Sequence, residues 1–393
     1  MQKYLMSILF FTILYSCSNP IARIDNEKKG TLVPTCQLVV SGEKKFSLDG
    51  ETAPRITYSQ FYIDSLGNRI LTLLNSHNNS IYFFDYTNTS YLRKISYDRK
   101  GTNAILGMAG YYIVNMDSIY IYNRPSVELV LADSVGNVKS RTLLHASTRN
   151  WPMYYPQYNF VTACPIVNNG GDLYLVGFSP INVCDSLISR FKYTARFNIA
   201  NRHLDFINTY PREIYGNDVV WDESSYMQPY SIISPSGEMI HSYPESHDLY
   251  ITDMVSGKVR RAYGGSNVAG TISSMDWERS SGKIPDRLII DHYLNNDLYG
   301  AILFDPWRKV YYRFMQQGIK TTVDKTPINS KPIIVIIMDE NLNYLGETSI
   351  GLAKQWHWTN SFVTSEGLNI EYIDFTDTDE MFLNFKIFTI KGV

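Results

Sequence analysis

The chain carries no surplus of charge: 36 Lys and Arg face 38 Asp and Glu, for a net of −2. Without a one-signed field, nucleic acid is not an expected partner, nor is a purely electrostatic grip on an anionic membrane. Charge is scarce altogether, at 19 % of residues, and there are only four cysteines. Several signatures are missing: the Gly-x-x-x-x-Gly-Lys-Ser/Thr loop, the His-Glu-x-x-His helix, a Cys-x-x-Cys pair and a Gly-x-Ser-x-Gly elbow. These absences remove the commonest nucleotide, zinc and serine-hydrolase chemistries, and no cofactor is called for. No Pro- or Ser-rich linker divides the chain after residue 35, which argues for one domain. No long helical pattern is visible in that part.

What the chain does have is aromatics, 14 % of residues with 30 Tyr. Rings cover pleated, half-buried sheet surfaces well. It also has one charge-free run, Tyr4 to Tyr15, behind Lys3. A dozen residues are too few to span a bilayer and match the apolar core of a signal peptide. Leu14-Tyr15-Ser16-Cys17 follows the pattern of a bacterial lipobox. The small Ser16 admits the peptidase, and the Cys17 thiolate takes the diacylglycerol. Tyr15 departs from the usual small residue. The competing reading is an ordinary signal peptide with an incidental Cys. The expected division is a signal peptide over 1–16, a polar flexible tether over 17–34 around Lys28-Lys29-Gly30, and a folded domain over 35–393. Ser18 after the acylated position, by analogy with lipoproteins, sends the chain past the inner membrane, so the expected place is the cell envelope at the outer membrane. Cys36, Cys164 and Cys184 remain, an odd number. Cys164 and Cys184 either bridge or stay as buried thiols; spacing leaves both open.

Apolar residues alternate or run in fours to eights between Gly, Pro, Asn, Asp and Ser. Ile81 to Phe84, Ser118 to Tyr122, Leu173 to Val176 and Leu288 to Ile290 read as strands. A phrase recurs: an apolar strand ending in Asp or Asn, a short polar turn, then a second strand. It appears as IYFFDYTNTSYLRKI from Ile81, ELVLADSVGNVKSRTL from Glu128 and ARFNIANRHLDFI from Ala195. LYITDMVSGKVRRAY from Leu249, AILFDPWRKVYYRF from Ala301 and IIVIIMDENLNYLGE from Ile333 continue it. Each reads as a hairpin whose Asx side chain bonds its own turn. Repeated hairpins of this kind predict an all-β, six-bladed β-propeller with about 60 residues per blade. Blades are expected to start near residues 50, 100, 150, 215, 270 and 355, the fifth being long. Thr35 to Leu48 is expected to pair with the C-terminal strands and close the ring, removing an exposed edge. Seven blades, or two sandwiches, are the alternatives.

The phrases DSIY from Asp117, SPSGEMI from Ser234, DPWRKVYYRF from Asp305, IMDENLNYLGE from Ile337 and SFVTSEGLNIEY from Ser361 carry a family resemblance. Together they resemble a family of Bacteroidetes lipoproteins known as a domain of unknown function of the 4221 type. Such proteins are similar to TolB-like six-bladed propellers, which implies the same blade count. The resemblance brings no catalytic motif.

Four constellations bear on function. His241-Ser242-Tyr243-Pro244-Glu245-Ser246-His247 offers two imidazoles and a carboxylate of the kind zinc takes; the preferred reading is a strand end and loop. Trp356-His357-Trp358 puts Trp356 and Trp358 on one face of a strand, where indoles stack on sugar or peptide; packing between blades is the plainer reading. Asp374 to Glu380 clusters carboxylates without the alternation of a calcium loop, so a solvated turn is preferred. Trp151 to Tyr158 is too rich in Pro for a central strand and reads as a loop crossing a ring face, with Trp151 and Tyr154 presented there. The candidate sites are therefore Cys17 for lipid, and Trp356, Trp358, Trp151 and Tyr154 as a binding surface. No metal ligand and no catalytic residue is assigned. The leading function is a membrane-tethered binding or scaffold module for a protein, peptide or glycan. The alternative is an extracytoplasmic enzyme acting on glycans or lactones in the propeller channel. Three or more converging His, Asp or Glu at the channel mouth would favour the enzyme, and an aromatic-lined face would favour binding.

Overall fold

The computed structural model describes residues 21–52, 55–147, 149–222, 226–278, 281–377 and 380–393. Cys17 and the apolar run before it lie outside the described residues. The first strands among the described residues are β1 (Arg23–Ile24) and β2 (Cys36–Ser47). Blade 1 is β3 (Ser59–Ile63), β4 (Arg69–Asn75), β5 (Ser80–Asp85) and β6 (Tyr91–Ser96). Blade 2 is β7 (Met108–Asn115), β8 (Ser118–Asn123), β9 (Glu128–Ala132) and β10 (Val138–Leu143). Blade 3 is β11 (Val167–Asn169), β12 (Asp172–Val176), β13 (Lys192–Asn198) and β14 (Leu204–Thr209), followed by the helical turn α1 (Arg212–Tyr215). Blade 4 is β15 (Tyr230–Ile233), β16 (Glu238–Ser242), β17 (Asp248–Asp253) and β18 (Val259–Tyr263). An insertion with β19 (Ile272–Ser273) and α2 (Asp286–Asn295) precedes blade 5. That blade is β20 (Leu298–Asp305), β21 (Val310–Gln316), β22 (Pro332–Asp339) and β23 (Tyr344–Leu352). Blade 6 is β24 (Trp356–Thr364), β25 (Gly367–Tyr372) and β26 (Phe382–Gly392), with β2 as its fourth strand.

The expected six-bladed propeller is thus what forms, and its closure is the expected one. Eleven paired positions join β2 to β26, from Cys36 with Gly392 to Ser47 with Phe382. Gly346 makes room for this closure: a Cβ there would stand 1.9 Å from the Cys36 carbonyl oxygen. Each other blade is a four-strand antiparallel meander, and the first strands of blades 3, 4, 5, 6 and 1 touch in that succession around the axis, while β7 of blade 2 touches β4. All first strands therefore begin on the same ring face, called here the entry face.

The recurring phrase works as its chemistry requires. Oδ1 of Asp85, Asp133, Asn198, Asp253, Asp305 and Asp339 each accepts backbone N–H groups two to four residues on, at 2.7–3.3 Å. One short side chain thus replaces two missing ladder partners at each turn. Between blades lie the apolar faces. Ile240, Leu249 and Ile251 of blade 4, for example, share a core with Ile302, Tyr311 and Ile336 of blade 5.

Two expectations fail. Leu288 to Ile290 is not a strand but the middle of α2. A three-residue apolar run has no period of its own, so its flanks decide: Pro285 stands at the N-cap and Asp286 in the first turn. The fifth blade accordingly starts at Leu298 rather than near 270. The second failure concerns the tether. Its described part, from Ile21 to Pro34, is not free but laid against blades 4 and 5, with β1 paired to β19. Polar composition predicted flexibility, yet the same polar groups are used as hydrogen-bond partners.

Candidate functional site

A cup of about 530 Å³ opens on the entry face. Blade 6 supplies its wall through the start of β24. Period two sends Trp356 and Trp358 to one side of this strand and His357 to the other. Trp358 is 8 % exposed and lies nearly parallel to Phe314, with ring centres 5.5 Å apart. Tyr230, at the start of β15, meets the same indole at 5.7 Å. Gly300 faces it, and a Cβ there would come within 2.4 Å of the indole ring. Trp356 is 9 % exposed and packs on Tyr372 and Phe388 of its own blade. The two indoles therefore form packed walls, not an open platform. Packing within blade 6 for Trp356, and against blades 4 and 5 for Trp358, claims most of each ring, and only edges reach the cup.

Blade 3 contributes Asn159 and Phe178, and α2 roofs the cup with Ile289, Ile290 and Tyr293. The Tyr293 hydroxyl donates to Gln316 Oε1. Beneath it, Lys331 Nζ donates to the carbonyls of Tyr293 and Asn296, both at 2.7 Å, and sits 4.2 Å from the Tyr293 ring. Burial brings this amine down to about 7. Its role is to tie the end of α2 to blade 5. Polar lining comes mainly from Gln228, Thr359, Gln316 and Asn159, with His357 and Asp222 as the ionisable groups.

Below the cup the axis is filled. Residues 161–164 cross it: Ala163 N donates to Thr359 O at 2.9 Å, and Ser59 N donates to Thr162 Oγ1 at 2.8 Å. Asn360 takes hydrogen bonds from Thr162 and Ser59, and donates to Glu371 Oε2 at 2.6 Å. Glu371 also holds His357 Nδ1 at 2.8 Å. This buried polar chain joins blades 1, 3 and 6, and it makes the cup blind. Among the described residues, no group of three His, Cys, Asp or Glu is placed to hold a metal ion.

The other sequence candidates lie elsewhere. Trp151 stacks on His145 at 4.5 Å, on the short 3₁₀ turn Trp151–Met153. Tyr154 is half exposed, and neither residue lines the cup. The end of the same loop does reach it, because Gln157 pairs with Phe178. The His241 to His247 stretch splits up. His241 is buried among Ser231 Oγ, Tyr193 OH and Thr252 Oγ1, and burial lowers it to about 3. Glu245 Oε2 accepts from Tyr215, and burial holds the carboxyl well above its usual range. His247 Nε2 reaches the Ile24 carbonyl at 3.3 Å, so that nitrogen carries the proton and Nδ1 accepts from Tyr299 at 2.8 Å. Three groups with three separate partners do not make a metal site. Asp374 and Asp377 bond their own turn, at Thr376 N and Phe382 N; Thr378 and Asp379 lie outside the described residues. Cys36, Cys164 and Cys184 are free thiols, the first two buried.

Sequence reading missed Arg313. This residue is fully buried in β21. Its Nε donates to Ser242 Oγ, Nη1 to the carbonyls of His247 and Gly264, and Nη2 to those of Tyr243 and Ser246, at 2.8–3.3 Å. All five donors are used, and the guanidinium lies 3.9 Å from the Tyr299 ring. The available signal was a cation in phase with Tyr311 and Met315, set between apolar and aromatic residues of the strand. A larger cleft, about 680 Å³, lies between blades 3 and 4. Its charged rim is largely committed: Arg196 pairs with Asp205 and Arg212 with Asp185.

The fold has counterparts. No curated protein matches the sequence significantly. Among solved structures the chain is similar to a member of the DUF4221 family from Bacteroides vulgatus, at 19 % identity and a TM-score of 0.77. That match covers 91 % of this chain and 99 % of the other. It is also similar to a putative exported protein from Bacteroides fragilis, at 9 % identity and a TM-score of 0.55, covering 91 % and 95 %. At these identities the likeness is one of fold. Residues 35–349 match the model of the domain of unknown function DUF4221, and the chain belongs to that family.

Proposed function

We propose that the protein is a binding module of the cell envelope, lipid-anchored through Cys17, whose entry-face cup takes a neutral saccharide. The observation that carries this reading is the lining of the cup. Tyr230, Tyr293, Phe178 and the Trp358 edge supply apolar ring surface, while Gln228, Gln316, Asn159 and Thr359 supply neutral hydrogen-bonding groups. Rings and amides around a blind pocket suit the C–H faces and hydroxyls of a sugar. The lining holds one carboxylate, Asp222, and no Lys or Arg, which favours a neutral ligand over an ionic one. Support for an envelope location comes from the signal-like N-terminus and from the exported protein of similar fold.

Two observations weigh against the enzymatic alternative. The axis where a channel site would lie is crossed by residues 161–164, and the described residues gather no three-ligand metal cluster. The test is a panel of defined neutral oligosaccharides and uncharged peptides, titrated against the unlipidated Cys17→Ser protein by calorimetry. Saccharide binding that is lost in Tyr230→Ala, with folding retained, supports the reading. Binding of the peptides alone moves the module to peptide recognition. Turnover of the saccharides, or a stoichiometric metal in the purified protein, would replace it with the enzyme.

A further inference from the structure

The docked N-terminal segment changes what a lipid at Cys17 would do. Read from composition, residues 17–34 are a long flexible leash. In the structure the leash is fastened from Ile21 onward. Ala22 N donates to Ser274 Oγ at 2.8 Å, and Ser274 N returns a bond to the Ala22 carbonyl at 2.9 Å. Asn26 is the clamp: its Nδ2 donates to the carbonyls of Ser266 and Ala269, and its Oδ1 accepts from Tyr263 OH, at 2.8–3.1 Å. Lys28 Nζ lies 4.5 Å from the Tyr263 ring, and Gly30 N donates to Asn267 O at 2.9 Å. Thr35 N reaches Leu345 O at 2.7 Å before β2 begins. His247, held by its own partners on the ring, adds the bond to Ile24.

From Cys17 to Ile21 there are four residue steps. Whatever their conformation, they span at most about 14 Å. We propose that the rim of blades 4 and 5, at the insertion holding β19, is thereby kept against the bilayer surface instead of swinging at the end of a leash. The inference rests on the acylation of Cys17 in the reading above. Its partner is a lipid surface, and the surface offered is the rim around Ile21 and Val268, each 41 % exposed. Blade 2 lies across the six-membered ring from blade 5. Its turn tip Val135, 80 % exposed and on the face opposite the entry face, is turned away from the membrane.

The experiment uses the full lipoprotein, reconstituted in phosphatidylethanolamine–phosphatidylglycerol vesicles that carry a headgroup energy-transfer acceptor. A donor dye is placed at Val268→Cys or at Val135→Cys in a Cys184→Ser background, where Cys36 and Cys164 are shielded by burial. Transfer is expected to be several-fold stronger from position 268 than from position 135. Inserting a flexible Gly-Ser segment of about 20 residues between Pro20 and Ile21 should bring the ratio close to one, because the reach then exceeds the thickness of the ring. Membrane-bound, acylated protein with equal transfer from both positions, unchanged by the insert, overturns the rim assignment and leaves the anchor standing. Protein that takes up no acyl label and does not partition to vesicles overturns the anchor, and the rim assignment with it.

Discussion

Replacing Arg313 by Met should destabilise the ring by about 4 kcal/mol, through loss of hydrogen bonds and not of volume. The stem keeps most of its packing, since Met reproduces the Arg side chain as far as Nε. What disappears is the donor set that holds the loop between β16 and β17. Four carbonyls and the Ser242 hydroxyl lose a charged partner in a region closed to water. Each orphaned acceptor costs about 1–3 kcal/mol taken alone, but the loop relaxes as a unit, so the sum is far from additive. Dehydrating the cation offsets part of the gain from its bonds. That burial cost is visible in the guanidinium itself, lowered to about 10. For a ring of roughly 360 residues the unfolding entropy is about 0.75 kcal/mol per degree, so 4 kcal/mol corresponds to a fall in Tm of about 5 °C. Calorimetry and guanidinium melts of wild type, Arg313→Met and Arg313→Lys measure it. Lys should fall between the two, since three donors replace five. A Met variant within about 1 kcal/mol of wild type would refute the clamp, because the loop would then be held by other contacts.

Other outcomes follow from the same contacts. Gly300→Ala should cost stability and shift the Trp358 emission, as its Cβ enters the indole; unchanged melting and fluorescence would show that the cup wall yields freely. Gly346→Ala should loosen the closing strand, seen as faster amide exchange along β2 while blades 2 and 3 stay protected; uniform protection would argue against this contact. Glu245 holds a proton when folded that the unfolded chain releases near pH 4.3. Its contribution is therefore complete below that pH and is lost as pH rises toward the raised folded value. The stability of Glu245→Gln relative to wild type should grow between pH 5 and 8 in denaturant melts, and a constant difference would refute the buried neutral carboxyl. In the Cys17→Ser protein, Cys184 should alkylate quickly and Cys36 and Cys164 only on unfolding, by mass spectrometry; no reactive thiol in the native protein would point to a disulfide instead.

Much of this architecture is local in origin, and local features are legible. An Asx residue at a strand end binds its own turn, so Asp85, Asp133, Asn198, Asp253, Asp305 and Asp339 mark hairpins without help from any tertiary contact. Their spacing, with strands too short to hide an apolar face alone, led to six blades and to closure by the strand after Thr35. Other features depend on what distant segments bring. Leu288 to Ile290 took its helical form from flanks and from the packing of Ile289 beside Val220, Met275 and Ile284. Trp356 and Trp358 shared a strand face as the spacing required, yet the depth of their burial was set by Phe314, Tyr230 and Phe388, remote in sequence. The cup exists only because blades 3 to 6 and α2 meet, and no single segment carries its pattern. Asn26 looks like any tether residue until Tyr263, Ser266 and Ala269 stand around it. Side-chain-to-turn bonds act over four residues and are written in the chain; burial, clamping and pocket shape act across tens of residues to more than two hundred, and only the folded ring decides them.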